Sequence, residues 1–409
     1  MTNPSLTRGV CLCYTRAMNN YNFSNRTTSL KPSAIREIFK YSADPAVIPF
    51  SAGNPSSASF PVEAIADITA GILRDTPASA LQYGITEGYA PLREWVKADL
   101  ALRLGIGSAS DDLIIVSGSQ QGIDLTSKAF LNPGDTVICE SPSFIGSLNA
   151  FRTYEANLVG IPLEDDGMDI AALEQACQEN ANAKIIYTIP NFQNPSGVTT
   201  SYAKRKAIYD IAVKYGLVIV EDNPYGELRF EGEDVPAIKT FDEAGIVIYC
   251  GSFSKTLSPG LRVGFVAANA EITQKITVLK QTNDVHTNVL AQMIAYEYLT
   301  KYDYSAHLAG LRALYKAQRD LIVSEAREHF PTEFSFSSPQ GGLFLWVKCP
   351  DGFDADAFCR MAVAEHKVAC VPGSAFSPSG ESLSALRLNY STPTAEQIVQ
   401  GVRVLGEIL

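Results

Sequence analysis

The sequence predicts a doubly wound α/β domain joined to a smaller α+β domain. Three observations carry this. Seven short apolar runs rich in β-branched residues recur between residues 113 and 268. Most of them are separated by helix-like segments of one to two dozen residues, such as "YAKRKAIYDIAVKYG". Beyond about residue 290 the rhythm changes to long amphipathic helix and then to short strands. Apolar strands alternating with helices imply a mostly parallel sheet covered on both faces.

The seven runs are "LIIVSG" at 113, "TVICES" at 136, "NLVGIPL" at 157, "KIIYTIP" at 184, "LVIVED" at 217, "IVIYCGS" at 246 and "VGFVAA" at 263. The last two are joined by a loop too short for a helical crossover, so the final strand of this seven-stranded sheet is expected to run antiparallel. The helix "AQMIAYEYLTKYDYSAHLAGLRALYKAQRDLIVSEAREHF" and the strands in "EFSFSSPQGGLFLWVK", "KVACVPG" and "SALRLNYS" form the second unit. The expected division is a tail over 1–30, a large domain over 61–290, and a small domain built from 31–60 and 291–409.

Composition narrows the function classes. The chain has 409 residues, 46% hydrophobic and 19% charged, an ordinary globular balance. A formal net charge of -11 offers no basic field for nucleic acid or an anionic membrane surface. Eight cysteines form no C-x-x-C pair, and several sit inside apolar runs, which fits reduced thiols in a cytoplasmic protein. Four histidines lie far apart with no H-E-x-x-H, so no metal site is expected. The first twenty residues lack a signal-peptide core, and no apolar stretch reaches spanning length.

Ligands of open α/β sheets bind at the carboxyl ends of the strands. Five polar insertions fall there: "SGSQQG", "ESPSF", "PNFQNPSG", "EDNPYGE" and "GSFSK". In the first, Ser119 and Gln120 open a helix whose N-terminus is either simply capped or faces an anion. In "GSFSKTLSPGLRVGF", Ser252 and Ser254 offer hydroxyls and Arg262 a fork suited to phosphate. Lys255 is either a solvated loop lysine or, beside cations, an amine with a lowered pKa and nucleophilic character. This combination suits a cofactor with both a phosphate and an aldehyde, pyridoxal 5'-phosphate. Asp222 ends the strand "LVIVED" after its apolar run, where a carboxylate is costly unless paired, as a pyridinium would pair it. Tyr225 and Asn194 can reach a ring oxygen, while Phe144 is either core or a stacking face.

The ordered motifs "SGSQQG", "PNFQNPSG", "EDNPYGELRF", "SFSKTLSPGLRVG" and "LRLNYS" resemble those of class I/II pyridoxal-phosphate aminotransferases of fold type I, from about residue 30 to the end. Within that family the chain looks most like the aminoadipate/kynurenine (aromatic) branch, on "KPSAIREIF" and "FSAGNP". The resemblance implies Lys255 as the Schiff-base lysine, Asp222 as the pyridinium partner, and Asn194 and Tyr225 on the ring oxygen. It further implies Ser119, Gln120, Ser252, Ser254 and Arg262 on the phosphate, Phe144 on the ring face, and Arg387 on the substrate α-carboxylate. Where many relatives have a stacking tyrosine, this chain has Phe144.

Two further expectations come from the resemblance. Tyr83 in "LQYGITEGYAPLREW" is either an ordinary loop aromatic or a residue reaching the neighbouring subunit's phosphate, which would make the protein an obligate homodimer. Arg36 is either a solvated helix arginine or a reader of the substrate's distal carboxylate, with Gly53 allowing close backbone approach to the substrate. The implied reaction transfers an amino group between an L-amino acid and a 2-oxo acid such as 2-oxoglutarate by a ping-pong mechanism. A β-lyase or decarboxylase on the same framework is the alternative within the fold. A transcription regulator would need a DNA-binding module, and only about thirty residues precede "KPSAIREIF".

Overall fold

The computed structural model describes residues 21–28 and 44–409. Of the tail expected over 1–30, residues 21–28 are described, with one helical turn at Asn25–Thr28. Arg36 lies outside the described residues.

All seven expected strands form one sheet: β1 (Asp111–Val116), β2 (Thr136–Ser141), β3 (Asn157–Glu164), β5 (Ala183–Thr188), β6 (Val218–Asp222), β7 (Val247–Ser252) and β8 (Gly264–Asn269). An eighth, the two-residue β4 (Gly167–Met168), turns back on the end of β3 and was not expected. Two residues carry too little pattern to show as a strand in sequence. The order is β1-β8-β7-β6-β5-β2-β3-β4. β8 runs antiparallel to both β7 and β1, while β7, β6, β5, β2 and β3 pair in parallel.

Burial explains the unbroken apolar runs. Val137 and Cys139 of β2 pack with Ile185, Val220 and Ile248 on one face, against Ile123, Leu148 and Ile276 of the helices Ser119–Phe130, Ile145–Thr153 and Ala270–Gln281. Ile138, Ile186, Ile219 and Val247 face the other way, onto Leu173 and Ile208 of the helices Ile170–Glu179 and Tyr202–Tyr215. Adjacent strand residues thus sit in different cores, so both parities must be apolar. The single long helix expected beyond residue 290 is two, Val289–Lys301 and Tyr304–His329, broken at Tyr302 and Asp303. The first packs with Val62–Asp75 and Ala90–Asp99 beneath β1 and β8, on the large sheet rather than in the expected small domain.

A second, antiparallel sheet has the order β11-β12-β10-β9, from β9 (Ser335–Phe336), β10 (Phe344–Lys348), β11 (Val371–Pro372) and β12 (Ala385–Asn389). The 26-residue helix Tyr304–His329 buries Leu308, Leu311, Tyr315, Ile322 and Ala326, a three-and-four spacing that keeps one stripe on the core. It lies against the last helix, Ala395–Ile408, whose start is fixed by a Thr394–Gln397 capping box. The segment from Val47 to Gly53 is stitched to this sheet: Ile48 N–H donates to the Lys367 carbonyl at 2.8 Å and Asn389 N–H to the Phe50 carbonyl at 2.8 Å. Among the described residues, no helix is long and apolar enough to cross a membrane.

Candidate active site

The carboxyl ends of β1, β2, β5, β6 and β7 open into one cavity of about 370 Å³. Every expected site residue lines it except Tyr83 and the undescribed Arg36. Asn54, Ile145, Ile189, Pro224 and Pro259 complete its wall. Arg387 enters from β12 and Gly53 from the N-terminal segment, so the two sheets close on one space. A larger cleft of about 580 Å³, bounded by Glu164, Asp165, Trp346 and Lys348, holds none of the expected residues.

One end is built from β1, β7 and their loops. Gly118, at φ 80°, turns the chain from β1 into the helix beginning at Ser119. Ser252 Oγ donates to Ser254 Oγ at 2.9 Å and accepts from the Ser254 N–H at 3.1 Å. Arg262 donates to Ser254 Oγ at 3.4 Å and to the Ser117 carbonyl at 3.0 Å. A Cβ on Gly118 would sit 2.1 Å from an Arg262 Nη, so the guanidinium lies where only glycine leaves room. Behind this turn, Gln121 Oε1 accepts from Ser117 N–H and from buried Lys280, which is paired with Asp284. Hydroxyls, a cation and a helix N-terminus therefore converge, a donor set suited to a phosphate.

Lys255 points to the middle. Its Nζ donates to the Gly53 carbonyl at 2.6 Å. Burial, then the positive charges of Arg387 and Arg262, push its pKa down to about 8. Asp222 ends β6 only 2% exposed, and burial pushes its carboxyl up to about 7 against one opposing hydrogen bond from Tyr187. Asp222 Oδ2 accepts that bond at 2.9 Å, while Oδ1 is buried with no partner among the described residues. An orphaned buried carboxylate oxygen at the cavity wall is the acceptor a protonated ring nitrogen needs. Asn194 Nδ2 lies 3.4 Å from the Tyr225 hydroxyl, placing both beside the same space. The Phe144 ring, preceding the helix Ile145–Thr153, also faces the cavity.

Arg387 is 3% exposed, held by Asn194 Oδ1 at 3.1 Å and the Ser51 carbonyl at 2.7 Å. Its guanidinium lies 4.4 Å from the Phe344 ring centre and 5.0 Å from that of Phe376. Burial lowers its pKa to about 10, and its Nε has no partner among the described residues. Two aromatic faces and a free donor suit a carboxylate.

Tyr83 sits elsewhere, 81% exposed, its ring edge-on to His286 at 5.8 Å. Sequence reasoning missed Tyr187, Ser147 and Glu140. Tyr187 of β5 pairs in register with Val220 of β6, two residues before Asp222, so the strand period puts its side chain on the Asp222 face. That pairing was readable only once the strand order was known. Glu140, fully buried at the end of β2, accepts from Thr188 Oγ1, the Ile189 N–H and Gln193 Nε2, and so ties down the loop that carries Asn194.

Comparison with known proteins agrees with this geometry. Residues 45–405 match the family model described as aminotransferase class I and II. The aromatic-amino-acid aminotransferase 1 of Thermococcus litoralis is 40% identical over 395 residues, covering 95% of this chain and 94% of that protein. The crystal structure of a Pyrococcus horikoshii kynurenine aminotransferase in complex with PMP, with KYN as substrate and KYA as product, superposes with a TM-score of 0.90 at 38% identity, covering 94% and 96% of the two chains. The α-aminoadipate aminotransferase LysN of Thermus thermophilus, complexed with N-(5'-phosphopyridoxyl)-L-leucine, gives 0.86 at 38% identity with the same coverage. A lysine of lowered pKa, an orphaned carboxylate oxygen and a phosphate cradle on this framework place the chain in the class I and II aminotransferases, a family of pyridoxal-phosphate enzymes.

Proposed function

We propose that the protein moves an amino group between an aromatic, aminoadipate-like or glutamate amino acid and a 2-oxo acid such as 2-oxoglutarate, in two alternating half-reactions. The observation that carries this is the grouping, in one cavity, of Lys255, the unpartnered Asp222 Oδ1 and the buried fork of Arg387. Pyridoxal 5'-phosphate, when bound, supplies the aldehyde that takes up the amino group and the ring that accepts the electrons of the Cα–H bond.

The chain's own residues do the rest. Ser119, Gln120, Ser252, Ser254 and Arg262 hold the phosphate, Asp222 the ring nitrogen, Asn194 and Tyr225 the ring oxygen, and Phe144 the ring face. Arg387 binds the substrate α-carboxylate and so fixes which bond at Cα faces Lys255. With a pKa near 8, the Lys255 amine can accept a proton and return it within a turnover. Arg36 reads a distal carboxylate, and Gly53 lets the backbone approach the substrate closely. Tyr83, exposed on its own subunit, reaches the second site of a homodimer in the cytoplasm. Residues 61–290, with the helix Val289–Lys301 packed on them, form the cofactor domain, and 31–60 with the rest of 291–409 the small domain.

The test is an activity panel: aromatic amino acids, 2-aminoadipate and glutamate as donors against 2-oxoglutarate, pyruvate and aromatic oxo acids. Stoichiometric appearance of the new amino acid and new oxo acid is expected. Release of ammonia or carbon dioxide without amino-group transfer would overturn the reading.

A further inference from the structure

Ser147, Tyr187 and Asp222 form a continuous hydrogen-bonded line behind the cavity. The Ser147 hydroxyl donates to the Tyr187 phenolic oxygen at 2.7 Å, and Tyr187 donates to Asp222 Oδ2 at 2.9 Å. Ser147 and Tyr187 are fully buried, so water does not compete with either bond. Burial and the nearby Asp222 charge hold the proton on Tyr187, which fixes the direction of donation towards the carboxylate. The Tyr187 ring is pinned edge-on by Phe151 at 5.4 Å. Phe151 and Ser147 belong to the helix Ile145–Thr153, and Phe144, which immediately precedes it, faces the cavity. The helix and the residue that precedes it therefore bear both on the cavity wall and on the hydrogen-bonded line behind the carboxylate.

We propose that Tyr187, oriented by Ser147, is a positioning residue that acts through Asp222, turning Oδ1 towards the ring nitrogen of the cofactor. This rests on the reading of Asp222 as the ring-nitrogen partner. A terminal carboxylate can rotate about its last torsion. The Tyr187 donor selects which oxygen faces inward and opposes the burial that favours the protonated acid. Without that hydroxyl the carboxyl takes up a proton more readily and is free to turn, and the ring nitrogen loses a fixed, ionised acceptor.

The experiment compares two cofactors on reconstituted apoenzyme: pyridoxal 5'-phosphate and its 1-deaza analogue, which has carbon in place of the ring nitrogen. Dissociation constants are read from quenching of intrinsic fluorescence. Tyr187→Phe is expected to weaken the natural cofactor about tenfold or more and the deaza analogue less than about twofold. Ser147→Ala should act in the same direction with a smaller loss, and it carries the comparison if Tyr187→Phe does not fold by circular dichroism. At cofactor saturation, kcat should fall while the KM for the amino donor stays unchanged. Equal weakening of both cofactors would reduce Tyr187 to a structural role and overturn the proposal. Asp222→Asn separates the two failures. If it discriminates the cofactors while Tyr187→Phe does not, only the relay fails. If it does not discriminate, the Asp222 assignment and the relay fail together.

Discussion

The Lys255 amine and the Gly53 carbonyl oxygen are 2.6 Å apart, which ties the lysine at the end of the large sheet to a backbone segment stitched to the small one. The amine is thus held in place by a group with no charge of its own. Its proton affinity is set by burial and by Arg387 and Arg262. Borohydride reduction of the loaded enzyme should fix the cofactor to the peptide containing "SFSKTLSPGLR". Lys255→Ala should abolish turnover while retaining cofactor through the phosphate donors. Label on any other peptide would show the lysine to be misassigned.

Arg387 contributes a fork as well as a charge. Arg387→Ala should lower kcat/KM for every amino donor by roughly tenfold to a hundredfold, from the loss of about 1.5–3 kcal/mol of charge-assisted hydrogen bonding. Arg387→Lys should recover little of this, since an ammonium cannot match the carboxylate at two points. Steady-state kinetics on three unrelated donors would check it, and a loss confined to one donor would count against the α-carboxylate role.

Two buried carboxyls make stability depend on pH. Burial pushes both Glu140 and Asp222 up to about 7, against about 4 in an unfolded chain. Between these values the folded chain binds more protons than the unfolded one. The stability these two groups contribute is therefore full below about pH 4 and declines as pH rises to about 7, by up to about 1.4 kcal/mol per pH unit for each group. The apoenzyme's unfolding midpoint should fall between about pH 5 and 7, and Glu140→Gln should flatten that slope. A midpoint that rises over this range would show the carboxyls to be ionised in the folded state.

Tyr83 tests assembly. Sedimentation should give a dimer, and Tyr83→Ala should weaken cofactor retention without changing the dimer's mass. A monomer with full activity would remove Tyr83 from the site.

Arg36 tests substrate choice. Arg36→Ala should lower kcat/KM about tenfold or more for dicarboxylic substrates and leave apolar ones unchanged. Equal losses for both classes would mean that the arginine does not read the side chain.

Much of the site was legible because strand ends are punctuated. Asp222 closing "LVIVED" and Lys255 between serines stand out against apolar runs, and each lines the cavity. The antiparallel β8 was legible from loop length alone. The order of the strands was not: β8 sits between β1 and β7, and β5 between β6 and β2. Such pairings join residues far apart in the chain, and no local pattern encodes them. The roles of Tyr187 and Glu140 were hidden for that reason. Tyr187 occupies a position that reads as core, and Glu140, a carboxylate closing "TVIC", stands out but finds its partners only on the neighbouring strand and the loop above it.

The contact between Gly118 and Arg262 also bears on how such an enzyme can change over generations. Any side chain at position 118 would collide with the guanidinium, and Gly118 already has a backbone conformation that disfavours other residues. Arg262 itself holds φ 54°, a conformation costly for a branched replacement. Substitution of Gly118 while Arg262 stays in place therefore passes through a damaged intermediate. The pair forms an evolutionary lock: drift can reshape the cavity wall at Asn54 or Ile145, while the end beside Gly118 and Arg262 stays fixed. Descendants of this chain would then vary in the shape of that wall long before they changed the end that Arg262 closes.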